Sequence, residues 1–65
     1  MNHALSKTIL ISKVIELIAQ NERIPLKEAR DLFYCSDLVS LIEDDETGLY
    51  GQSPLYVYSL FEGMH

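Results

Sequence analysis

The chain has 65 residues, ten acidic against five basic side chains, a formal charge of −5, 48% apolar residues, one cysteine and no tryptophan. A domain of this size buries only about 60% of the surface its unfolded chain exposes, so a single small domain over residues 1–65 with a thin core is expected. One cysteine excludes an internal disulfide or a thiolate metal site, and the longest apolar stretch, Thr8 to Ala19, is interrupted by Lys13 and Glu16 and too short to span a bilayer. No signal peptide precedes it, so a soluble, cytoplasmic chain is expected.

The first element reads as a helix from about Leu5 to Gln20, with Ser6 a possible cap and Asn21 a stop. Lys13, Gln20, Glu16, Ser6 and Ser12 share a polar arc. Leu10, Leu17, Val14, Ile18, Ile11, Ile15 and Ala19 fill an apolar arc of roughly 200°, twice the width an ordinary surface helix needs. Such a helix should have apolar surface to spare, and Ile11 and Ile18 are expected to offer it to a partner.

A turn at Asn21 to Ile24 leads to Pro25 at a first helical position. The second helix should span Pro25 to Tyr34, with Leu26, Ala29, Leu32 and Phe33 inward. Ser36 or Asp37 caps a third, shorter helix through about Glu43, with Leu38, Leu41 and Ile42 as its apolar side. Asp44 to Gln52 has the composition of a loop packed back by Leu49 or Tyr50, a short hairpin at Thr47-Gly48 being the alternative. Ser53 and Pro54 then open a last helix, Leu55 to Glu62, ended by Gly63 and apolar nearly all round. The fold expected is all-α, a bundle of three to four short helices with the first longest.

Charge divides the chain. Residues 1–33 hold five cations and four anions, while residues 34–65 hold six anions and no Lys or Arg. The run Glu43, Asp44, Asp45, Glu46 suits a solvated loop or a patch that docks on a basic surface; contiguous acids lack the alternate spacing of a calcium loop. Tyr50, Tyr56 and Tyr58, with Tyr34, add rings suited to an interface, and Tyr56 and Tyr58, two apart on a helix, cannot both face one interior. Nucleophilic catalysis would need Cys35 or a serine beside His3 or His65, which lie at opposite ends, and Cys35 is expected buried. No enzymatic constellation and no cofactor motif is present. Lys27 and Arg30 on the second helix are the only close pair of cations that could enter a DNA groove, a poor footprint in a chain of this charge.

The stretch Asp45-Glu46-Thr47-Gly48-Leu49-Tyr50-Gly51-Gln52-Ser53-Pro54-Leu55-Tyr56-Val57-Tyr58, preceded by Ile24-Pro25-Leu26-Lys27-Glu28-Ala29 and Leu32-Phe33-Tyr34, resembles a family of small helical bacterial domains of unknown function common in Firmicutes. The resemblance covers most of residues 8–62, and its most specific part is the acid-Thr-Gly-Leu-Tyr segment. Members are often encoded beside larger proteins, some similar to ADP-ribosyltransferase toxins, which implies an accessory, antitoxin-like role and carries over no catalytic residue. The functional expectation is a protein-protein interaction module, self-associating or binding a partner through Ile11, Ile18, Tyr50, Tyr56, Tyr58, Glu43, Asp44 and Asp45. The alternative is a DNA-associated, helix-turn-helix-like regulator.

Overall fold

A computed structural model describes residues 4–64. They form four α-helices, α1 (Ala4–Glu22), α2 (Leu26–Tyr34), α3 (Leu38–Glu43) and α4 (Pro54–Gly63), with two 3-10 turns, Asp45–Thr47 and Leu49–Gly51, between α3 and α4. The fold is all-α, the first helix is the longest, and no strand occurs among the described residues. None of these helices is long and apolar enough to cross a membrane.

α1 is already helical at Ala4, so Ser6 lies inside the helix rather than capping it. It runs two residues past Gln20 because its stop is Arg23, not Asn21. Arg23 sits in the left-handed region at φ 57°, and the Ile24 N–H donates to the Ala19 carbonyl at 3.1 Å, the long bond of a Schellman ending normally made possible by glycine.

The wide apolar arc of α1 is used inside the molecule. α1 packs against α2, α3, α4 and the second 3-10 turn, and this ring of neighbours buries Leu10, Ile11, Val14, Ile15 and Ile18. Ile11 and Ile18 are therefore core side chains, not the free partner-binding surface expected of them; Ile18 has no exposure at all. The apolar residues that α1 does expose, Leu5 and Ile9, lie on the opposite side.

α2 begins one residue later than expected, with Pro25 as its N-cap residue and no side-chain bond closing that end. Ala29 and Phe33, four apart, make its buried stripe, whereas Leu26 and Leu32 flank that stripe and stay exposed. Cys35 is exposed as well, contrary to expectation: it follows Phe33 by two residues and so points away from the side that Phe33 buries. On α3 the buried set is Leu38, Val39 and Ile42, with Val39 inward in place of Leu41. On α4, Ser53 caps the Tyr56 N–H at 3.2 Å, Pro54 opens the helix, and Val57 and Phe61 go inward. Phe61 meets Phe33 at 5.9 Å between ring centroids, which joins α2 to α4 across the core.

Candidate functional site

The acidic run is built into the fold by its own turn chemistry. The Asp44 carboxylate accepts from the Glu46 N–H at 3.0 Å and starts the first 3-10 turn. The Thr47 hydroxyl lies 2.5 Å from the Leu41 carbonyl and 3.0 Å from that of Asp44, and accepts from the Leu49 N–H at 3.2 Å. Gly48 follows at φ 66°, a left-handed position where glycine is unstrained, and Leu49 is thereby turned into the core. The expected loop is thus two consecutive turns, packed back by Leu49 with Tyr50 partly buried beside it. The acid-Thr-Gly-Leu segment is accounted for by local geometry.

One cation from the other end of the sequence holds this run. Lys7 donates to the Glu43 carbonyl at 2.8 Å, forms an ion pair with the Asp45 carboxylate, and stands 5.5 Å from the centre of the Tyr50 ring. Its side chain is only 17% exposed, against 65% for Asp45, so a mostly covered ammonium clasps the loop to α1.

Between α1, α2 and this clasp runs an open groove of about 730 Å³. Thr8, Ile11, Ser12 and Ile15 of α1 make its floor, Arg30 and Tyr34 of α2 one wall, and Glu43 and Asp45 the other. Tyr34 is 54% exposed. Arg30 lies four residues from both Leu26 and Tyr34, so the three share a ridge along α2; Leu26 and Arg30 also border a smaller recess with Ser12, Ile15 and Glu16. Among the described residues, no ion pair engages Arg30 or the Glu43 carboxylate.

The structure gathers Ile11, Glu43 and Asp45 at this groove and sets the remaining expected residues elsewhere. Ile18 is core. Tyr50 lies under Lys7, and Asp44 is occupied with its turn. Tyr56 is exposed on α4 while Tyr58 is partly buried against Phe61, so the conflict between their directions is resolved with Tyr56 outward. Desolvation, then the charges of Glu62 and Glu22 and a hydrogen bond to Glu62, raise the Tyr58 hydroxyl above its usual pKa of 10.0. His3 and His65 fall outside the described residues. Among the described residues no group of three or more His, Cys, Asp or Glu is arranged to hold a metal ion.

Sequence reasoning gave Lys7 no role, read Arg30 only toward DNA, and grouped Tyr34 with the interface rings without placing it at a site. Lys7 and Asp45 stand 38 positions apart with nothing local to pair them, whereas the spacing of Leu26, Arg30 and Tyr34 was a visible signal of a shared helix face. Compared with protein-family models, characterised proteins and solved structures, the chain matches none.

Proposed function

We propose that the chain is a small cytoplasmic protein-protein interaction module, binding another copy or a partner protein rather than catalysing a reaction, in the accessory, antitoxin-like role its sequence resemblance implies. The observation that carries this reading is the groove between α1 and α2, where an exposed tyrosine, an arginine without an ion pair and a carboxylate wall surround the partly apolar floor of α1. Tyrosine and arginine are enriched where proteins meet, because each presents a large contact area with a polar end. Nine large apolar side chains are exposed among the described residues, Leu26 and Tyr34 on the groove ridge among them.

The DNA-associated alternative gains no support from this arrangement. α3, the helix that follows the α2 turn, carries Glu43 and no Lys or Arg, and Arg30 borders a groove whose opposite wall is Glu43 and Asp45. A phosphate approaching Arg30 would meet two carboxylates.

The test is site-specific photocrosslinking in the native host. A photoreactive side chain at position 34 should give a discrete crosslinked species, of the chain with itself or with another protein, which the same group at position 27 does not. Identical patterns from the two positions would sink the interaction reading at this face.

A further inference from the structure

The groove is electrically balanced although the molecule is not. Its lining holds two cations, Lys7 and Arg30, and two anions, Glu43 and Asp45, in a chain of charge −5. A strongly basic partner would find no net attraction at this face, whatever the rest of the surface offers. What the walls lack is a filler that brings an acid to Arg30 and a base to Glu43 at the same time. A two-fold related copy supplies both in one operation, since each wall of an isologous contact faces the opposite wall of its partner. Resting on the interaction reading above, we propose that this groove is the contact face of a symmetric dimer. The Leu26, Arg30 and Tyr34 ridge of each chain lies in the groove of the other, and Arg30 meets the partner's Glu43.

The shape and size of the molecule allow it. Leu26 and Tyr34 on the ridge are exposed and the groove lies directly beside them, so one two-fold axis sets each ridge against the other chain's groove. A standard interface takes about 800 Å² from each partner, and the broad side of a molecule measuring 35 × 21 × 18 Å is of that order. Repulsion between the acidic remainders of the two chains is screened beyond about 8 Å at physiological salt.

Charge reversal tests the pairing. Both Arg30 and Glu43 are exposed, so R30E and E43K should fold, as circular dichroism will verify. Sedimentation equilibrium from about 1 µM to about 1 mM should show the unaltered chain dimerising, with each reversal weakening association about a hundredfold because the contact occurs twice. An equimolar mixture of R30E and E43K should associate again, as both contacts then join opposite charges. A chain that stays monomeric throughout, a dimer indifferent to both reversals, or a mixture that fails to recover overturns the proposal. If the chain is monomeric yet photocrosslinks at position 34 to a different protein, and R30E abolishes that product, the groove holds a foreign chain: the dimer falls and the interaction reading stands.

Discussion

α1 and α4 both carry wider apolar surfaces than an ordinary surface helix needs, yet they meet opposite fates. α1 lies in the middle, bordered by α2, α3, α4 and the second 3-10 turn, so an arc about twice the ordinary width is covered. α4 lies at the side and leans chiefly on α1, so Val57 and Phe61 are buried while Leu55 and Tyr56 face outward. The width of an apolar arc therefore says how much a helix has to cover, and its place among its neighbours decides whether it is covered.

The sharpest way to break that comparison is to truncate one aliphatic from each helix. Ile18→Ala should cost about 2–5 kcal/mol, a large share of the stability of so small a domain, whereas Leu55→Ala, at a side chain 67% exposed, should stay within about 0.5 kcal/mol. Urea midpoints at matched concentration decide it, and equal losses would mean that α4 is covered as α1 is.

Next in size is the clasp that ties α1 to the acidic run. Lys7→Met should cost about 1 kcal/mol, discounted for the exposure of Asp45, and the effect should shrink as salt is added. Amide exchange should quicken around Asp45–Thr47 and leave α4 unchanged. Uniform acceleration over the whole chain would show that Lys7 supports the core instead.

The ends of the two helices differ as their middles do. α1 closes on Arg23 in the left-handed region, while α4 reaches Gly63 and Met64 with no such residue. Arg23→Gly should therefore raise stability by up to about 1 kcal/mol, because glycine takes that conformation without strain, and Gly63→Ala should not lower it. A destabilised Arg23→Gly protein in thermal melts would show that the arginine side chain contributes more than its backbone costs.

The smallest effect concerns Tyr58, whose hydroxyl is raised above its unfolded value by desolvation and by the Glu62 and Glu22 charges. The folded protein holds that proton more tightly, so the contribution is present below pH 10 and is lost as pH climbs through the folded value. Tyr58→Phe should leave urea midpoints at pH 7 little changed and flatten their decline above pH 10. An unaltered alkaline slope would remove Tyr58 from the account.

Much of this was legible in the residues. Ser53-Pro54 announced α4 by cap chemistry, Pro25 marked the entry to α2, and Gly48 with Leu49 marked a loop turned back to the core, because caps, turns and glycines act within a few positions. The fate of Ile11 and Ile18 was not legible, since a helical wheel counts apolar side chains and carries no information on how many elements surround the helix. Arg23 hid the end of α1 because a non-glycine residue took the left-handed conformation. The groove depended on distant stretches coming together, Lys7 paired with Asp45 and Arg30 lining the same recess as Glu43, for which no local pattern exists.

The central place of α1 also bears on how the molecule comes apart. Each shorter helix rests on the same long one, so peeling any of them away uncovers side chains that the others need, and removing α1 strips the cover from the contacts that remain among α2, α3 and α4, Phe33 with Phe61 included. Melting is then a cooperative, all-or-none event in which helix loss followed by circular dichroism and tyrosine environment followed by fluorescence trace one coincident transition.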